Sequence, residues 1–181
     1  MDSIIDSFKI KKNVADNLEQ LICSDVFPWY FNNETVGNDK GKINHNENYD
    51  GFQFVHGLYR NQVPTSPFFN DIIPVLTSFK QLQFEYFKRI KLNLNLKSHN
   101  EYVHLPIHID IEHSIFTSMI YYVNDSDGDT LFFDKQNNII ERVSPEKGKV
   151  IYFKSNIPHA AENPVKNIKR IIINFLGIRN V

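Results

Sequence analysis

The sequence predicts a mainly β domain whose helices are gathered at its amino-terminal end, an α+β chain built around a jelly roll of two packed antiparallel sheets. Three observations carry that expectation. Helix-period apolar patterns occur around residues 13–22 and 66–79, the run Lys91–Lys97 alternates without error, and from residue 101 short strand-like segments follow one another between turn signals. Helices that precede closely spaced strands are expected to brace the outside of one sheet. With 181 residues, 41% hydrophobic and 23% charged, the chain has apolar material for one core, so residues 1–181 are expected to form a single domain.

In chain order, Asn13 can cap a helix whose apolar residues Val14, Leu18, Leu21 and Ile22 share a face, with Asp16 and Glu19 early in it. The aromatic residues Trp29, Tyr30 and Phe31 that follow are expected in the core. Residues 32–50 are polar and rich in Gly and Asn, which marks a long loop that could close over a site as a lid. A second helical region opens at Ser66-Pro67, a cap followed by a first-turn proline. It carries Phe69, Ile72, Ile73, Leu76 and Phe79 as its buried stripe, and Pro74 must kink or restart it.

The pattern then changes to period two. Leu92, Leu94 and Leu96 lie on one face of a strand, and Lys91, Asn93, Asn95 and Lys97 on the other. Further strands are expected at 101–110, 115–124, 129–134, 138–143, 148–154 and 168–176, separated by turns such as 124–128 and 144–148.

Composition narrows the function classes. A net charge of -1 provides no field to attract nucleic acid or an anionic membrane. The amino terminus carries acidic residues where a signal peptide would be basic, and no window approaches a membrane span, so a cytoplasmic protein is expected. The single cysteine, Cys23, excludes an internal disulfide framework and is expected to be a small core residue. His45, His56 and His99 have no matching carboxylate or nucleophile spacing, and His104 and His113 read as loop histidines.

The chemistry concentrates later. On an extended strand His108 and Asp110 point to one side while Ile109 packs on the other, and His159 follows in a loop just past the strand ending at Phe153. Two imidazoles and one carboxylate suit iron(II), with zinc, manganese and cobalt able to occupy the same donors. Arg170 shares a strand face with Ile172 and Asn174, and an arginine among isoleucines needs an anionic partner such as a carboxylate. Lys169, on the opposite face, is its competitor.

The motif His108-Ile109-Asp110, the turn from Pro145 to Gly148, the strand ending in Phe153, and then His159 and Arg170 resemble the double-stranded β-helix of iron(II)- and 2-oxoglutarate-dependent oxygenases. The segments 120–124 and 128–132 are similar to the prolyl-4-hydroxylase-like branch, and 27–31 with 52–60 looks like its small phage-type and bacterial members. The resemblance implies iron(II) on His108, Asp110 and His159, 2-oxoglutarate as co-substrate and dioxygen as oxidant. It implies Arg170 and Tyr122 at the distal carboxylate of 2-oxoglutarate, Tyr121 being the rival tyrosine. Leu105 stands where the family usually has a tyrosine, which leaves Asn93, Asn95 and Tyr102 as further candidates. Halogenating members carry a small residue at the position of Asp110, so the carboxylate implies hydroxylation of an aliphatic carbon, with release of succinate and CO2, on a small-molecule or peptidyl substrate. The rival expectation is a non-catalytic jelly-roll module of the cupin type; a structural phage component would leave the three ligand residues without a purpose.

Overall fold

The computed structural model describes residues 5–33, 52–99 and 104–179. Its strands are β1 (Asp6–Lys9), β2 (Tyr30–Asn32), β3 (Gln53–Arg60), β4 (Val63–Pro64), β5 (Phe84–Leu96), β6 (Phe116–Tyr122), β7 (Thr130–Phe133), β8 (Ile139–Val143), β9 (Lys149–Lys154), β10 (His159–Ala161) and β11 (Lys169–Arg179). The large sheet runs β1-β9-β6-β11-β5-β3-β2, with β4 on β3, and the small sheet runs β10-β7-β8. Every pairing in both sheets is antiparallel. Two such sheets facing one another make the jelly roll, a double-stranded β-helix.

The alternation of β5 decides which side of the large sheet meets the helices. Ile90 and Leu92 are fully buried in a core shared with the helices and with Ile171, Ile173 and Phe175 of β11. Each such side chain contributes roughly 2 kcal/mol, and a one-residue slip would put Lys91 and Asn93 in their place, so the register is strongly held. The opposite face of β5 turns toward the small sheet. There Lys91, Asn93 and Asn95 pair across to Asn174, Ile172 and Arg170 of β11. The polar face therefore looks into the interior of the roll.

Helix α1 (Lys12–Ile22) buries Ala15, Leu18 and Ile22, while Val14 and Leu21 pack at the margin of the same core. Its cap is Lys11, without a side-chain hydrogen bond, so Asn13 lies inside the first turn instead of capping it. Ser66 does cap: its hydroxyl accepts from the Phe68 amide at 3.2 Å and opens a 3-10 turn over Pro67–Ile72. Pro74 restarts the chain as helix α2 (Ile73–Ser78), with Ile72, Val75 and Phe79 buried and Ile73 facing solvent.

Several expectations need correction. Residues 104–110 form two isolated bridges instead of a continuous strand, and β5 begins at Phe84, seven positions before the alternating run that announces it. Cys23 is exposed at the end of α1, and Tyr30 and Phe31 are exposed on the edge strand β2, leaving only Trp29 packed on the core. Most of the expected loop, residues 34–50, lies outside the described residues, as do His45 and Tyr102. No helix among the described residues is long and apolar enough to cross a membrane.

Candidate metal centre

His108 and His159 are brought together by backbone pairing. The His108 amide donates to the His159 carbonyl at 3.0 Å and the His159 amide returns the bond at 2.9 Å. This reciprocal bridge extends the small sheet by one rung, because β10 also pairs with β7, where His159 stands opposite Phe132. His159 thus belongs to a short strand and not to the loop expected for it. Asp110 sits in a bend whose amide donates to the Ser155 carbonyl at 3.0 Å, so it keeps the His108 side although the strand has ended.

Ligand atoms of His108, Asp110 and His159 lie within 4.8 Å of one another, close enough to hold a metal ion. Each imidazole is oriented from behind. The Nδ1 of His108 lies 3.1 Å from the Pro106 carbonyl, and that of His159 lies 2.9 Å from the Ile157 carbonyl. A carbonyl can only accept, so each Nδ1 carries the proton and each Nε2 keeps a lone pair for a metal. Asp110 is held by the Ser118 hydroxyl, which donates at 2.6 Å, and by Arg89, which donates at 3.2 Å and also reaches Asn174.

The protonation states suit ligation. Burial, with His159 beside it, lowers His108 to about 4 against the opposing pull of Asp110, so the ring is neutral at neutral pH. Burial alone would raise the carboxyl of Asp110, yet His159, Arg89 and His108, with the Ser118 hydrogen bond, hold it well below the usual carboxylate range. Two imidazole nitrogens and one anionic oxygen as donors leave the rest of an octahedral ion open.

The same cavity carries a cationic end. Arg170 is 1% exposed, and its guanidinium donates to the Gly128 carbonyl at 2.8 Å and to the Thr130 hydroxyl at 2.7 Å. Burial lowers its pKa, with Tyr122, Asp129 and Glu162 acting in the other direction. Gly128 has to be glycine: a Cβ there would lie 2.5 Å from the Glu162 carbonyl oxygen and 3.1 Å from Arg170. The Tyr122 hydroxyl is 2.8 Å from the Thr130 hydroxyl, and the Arg170 guanidinium carbon lies 5.8 Å from the Tyr122 ring centroid. Arg170, Thr130, Asn93 and Asn95 line one cavity with His108, Asp110 and His159. Two buried amide atoms in its lining, Asn93 Oδ1 and Asn95 Nδ2, have no hydrogen-bond partner among the described residues.

Residues 89–176 match the family model described as the 2OG-Fe(II) oxygenase superfamily, and the three ligand groups and Arg170 all fall within the match. Residues 89–176 are a 2OG-Fe(II) oxygenase domain. Solved structures resemble this chain over nearly all of its length. One is a prolyl-4-hydroxylase from Pseudomonas putida, 12% identical, covering 99% of this chain and 94% of that one at a TM-score of 0.62. Another is a prolyl hydroxylase from Trichoplax adhaerens in complex with a hypoxia-inducible-factor oxygen-degradation-domain peptide, 11% identical, covering 98% and 84% at 0.62. A third, the alpha-ketoglutarate-dependent epimerase SnoN from nogalamycin biosynthesis, is 7% identical and covers 97% and 78% at 0.64. Among curated protein sequences none matches the chain. At these identities the neighbours establish the fold.

The oxygenase's cofactors are iron(II), 2-oxoglutarate and dioxygen, and the cavity fits the first two. It has the nitrogen and oxygen donors at one end, a buried guanidinium at the other, and unpartnered amide groups in its wall. Tyr122 is not among the side chains that line it and meets Arg170 through Thr130. Tyr121 points to the helix side of the sheet, and Lys169 also faces away, donating to the Cys23 sulfur at 3.1 Å. His56 is a packing residue between the Pro28 carbonyl and the Ser66 hydroxyl, His104 packs 5.4 Å from the Phe133 ring, and His99 and His113 are exposed. Sequence reasoning missed Arg89, Lys91, Thr130 and Asn174 in the lining. For Arg89 and Lys91 the signal was present, because both continue the polar alternation of Asn93 and Asn95.

Proposed function

We propose that residues 1–181 act as one catalytic domain that hydroxylates an aliphatic carbon of a prolyl, other amino-acid or peptidyl substrate. Iron(II) is held by His108, Asp110 and His159, and the distal carboxylate of 2-oxoglutarate by Arg170, with Thr130 and Tyr122 setting the guanidinium. The observation that carries the assignment is the co-location of three convergent donors and a buried arginine in one cavity. Support for a single domain comes from β1, which pairs with β9, and from α1, whose apolar face lies in the same core as β5, β6 and β11. The peptide-bound hydroxylase among the similar folds favours a peptidyl substrate, and the lone Cys23 suits a reducing cytoplasm.

Iron and 2-oxoglutarate together supply oxidative decarboxylation of the co-substrate to succinate and CO2, coupled to hydroxylation of the substrate. The protein's work is binding and orientation. Pro106 and Ile157 fix the two imidazoles so that their Nε2 atoms converge, while Ser118 and Arg89 restrain the two carboxylate oxygens of Asp110. Arg170 sets the depth to which the co-substrate enters, and Ile120, Ile172 and Leu105 keep the cavity wall apolar between its polar ends. The Asp110 carboxylate fills a position that a small residue would leave open to halide, which favours hydroxylation.

The test is anaerobic addition of iron(II) and 2-oxoglutarate. A visible charge-transfer band is expected, lost in His108→Ala and shifted to higher 2-oxoglutarate concentration in Arg170→Ala. Absence of the band in the unaltered protein, with no succinate released in air, rules the assignment out and leaves a metal-binding module.

A further inference from the structure

A groove of about 730 Å3 opens beside the metal-binding cluster and meets the co-substrate cavity where Arg89, Lys91 and Asp110 line both. Its charged lining is one-sided: Arg60, Lys88, Arg89 and Lys91 face Asp110 alone. The chain as a whole carries a net charge of -1, so this concentration of cations is local. Lys88 and Arg60 are exposed at the mouth, and Tyr59 and Ile111 supply apolar wall.

Lys91 is the unexplained member. It stands across from Asn174 on one side and Gly57 on the other, in the middle of the large sheet. Among the described residues it makes no hydrogen bond and no ion pair, whereas Arg89 is committed to Asp110 and Asn174. Burial, with Arg89 nearby, lowers its pKa to about 8 against the pull of Asp110, so at neutral pH it is still mainly a cation. Lys91 is half-buried and lines the groove, so its ammonium, free of any protein carboxylate among the described residues, is available to an anion that enters there.

The distal carboxylate of the co-substrate does not supply it. Along β11, Asn174 is four residues from Arg170, about 13 Å at the rise of a strand. A five-carbon diacid seated on Arg170 cannot place that same carboxylate on Lys91. Charge matching in the loaded site points the same way. The two charges of iron(II) are answered by Asp110 and the chelating carboxylate, and Arg170 is answered by the distal one. Arg89 keeps its bonds to Asp110 and Asn174, so Lys91 is the cation left over, on the groove side.

We infer that the primary substrate presents an anionic group, a carboxylate or a phosphate, to Lys91 at the junction of groove and cavity, with Arg60 and Lys88 drawing it to the mouth. This rests on the oxygenase assignment above. The anion fixes the distance between its own anchor and the carbon that faces the metal, so Lys91 selects the position of reaction as well as the class of substrate.

The test uses the full chain loaded with Mn(II) and saturating 2-oxoglutarate, and reads the paramagnetic relaxation of the methyl protons of two small probes, acetate and methyl phosphate. Acetamide and trimethyl phosphate are their neutral counterparts. Broadening of the 2-oxoglutarate protons is read first; if it is absent, the oxygenase assignment itself fails. With it present, at least one anionic probe is expected to relax strongly and saturably while its neutral counterpart does not. The stronger of the two anions identifies the group. Lys91→Met should reduce that relaxation at least fivefold, while changing half-saturation by 2-oxoglutarate less than threefold, and Lys91→Arg should retain most of it. Relaxation equal in Lys91→Met places the anion on the metal and overturns the inference, as does equal relaxation by the neutral probes or none by any probe. A Lys91→Met protein that loses 2-oxoglutarate as severely as it loses the probe makes Lys91 a co-substrate anchor, which also overturns it.

Discussion

Replacing Arg170 by Met should separate the stability of the empty protein from its response to 2-oxoglutarate. In the empty protein the side chain donates to the Gly128 carbonyl and the Thr130 hydroxyl and has no carboxylate within bonding distance among the described residues. Its loss orphans the Gly128 carbonyl at about 1–3 kcal/mol, whereas Thr130 keeps Tyr122 as a partner. Removal of a desolvated, unpaired guanidinium offsets much of that cost. The net change in the empty protein should stay below about 2 kcal/mol. With 2-oxoglutarate bound, the lost contact is one side of a buried charge pair. Such truncations cost about 2–5 kcal/mol, and a middle value of about 3 raises the dissociation constant roughly a hundredfold. At a ligand concentration a hundred times the original constant, the unaltered protein gains about 2.7 kcal/mol from binding and the variant about 0.4. Thermal or urea unfolding with manganese present, with and without 2-oxoglutarate, measures both quantities. A variant that keeps the full ligand-induced stabilisation would falsify the placement of the co-substrate on Arg170.

Other outcomes follow from the same geometry. Gly128→Ala, whose Cβ would meet the Glu162 carbonyl at 2.5 Å, should cost about 3 kcal/mol in denaturant unfolding and weaken 2-oxoglutarate binding by displacing Arg170. Ser118→Ala removes the 2.6 Å bond to Asp110 and should lower metal affinity about tenfold by competition with a chelator, with no change in fold by circular dichroism. Asn95→Asp sets a carboxylate directly opposite Arg170, so it should stabilise the empty protein at neutral pH and block the shift produced by 2-oxoglutarate; an undiminished shift counts against the pairing. Lys91 has a folded pKa of about 8, below its ordinary 10.5, so the unfolded chain holds that proton to higher pH. Stability of the empty protein should therefore rise as pH increases through that window by roughly 2–3 kcal/mol, and Lys91→Met should flatten the rise.

The legible parts of the fold were those written in local sequence pattern. β6, β7, β8, β9 and β11 fall where short strand-like runs bounded by turn residues put them, although β7 and most of β11 are buried on both faces and carry no alternation of exposure. β1 and β10 were not legible: four and three residues carry too little pattern, and their existence depends on partners distant in sequence, β9 and β7. The three candidate ligands could be named from residue chemistry, yet the contact between His108 and His159 comes from a backbone bridge that no side-chain pattern encodes. Cys23 and Phe31 were misplaced for the complementary reason: their types favour burial, but they lie where a helix ends and where an edge strand runs.

β5 explains why stability and site are hard to separate in this protein. Its apolar row, Ile90 and Leu92, holds the sheet against the helices, and its polar row, Arg89, Lys91, Asn93 and Asn95, lines the cavity from the metal-binding end toward Arg170. The two rows are one alternation read from opposite sides. Any register error that exposes the leucines also withdraws the polar groups from the cavity, so selection for a folded sheet preserves the cavity lining. The row also follows β11 from Arg170 toward Asp110: Asn95 stands opposite Arg170, Asn93 opposite Ile172 and Lys91 opposite Asn174, ending near Asp110 through Arg89. Under the proposed assignment, depth along this strand would correspond to position along the reacting molecules, with 2-oxoglutarate at the Asn95 end and the substrate's anionic group at the Lys91 end.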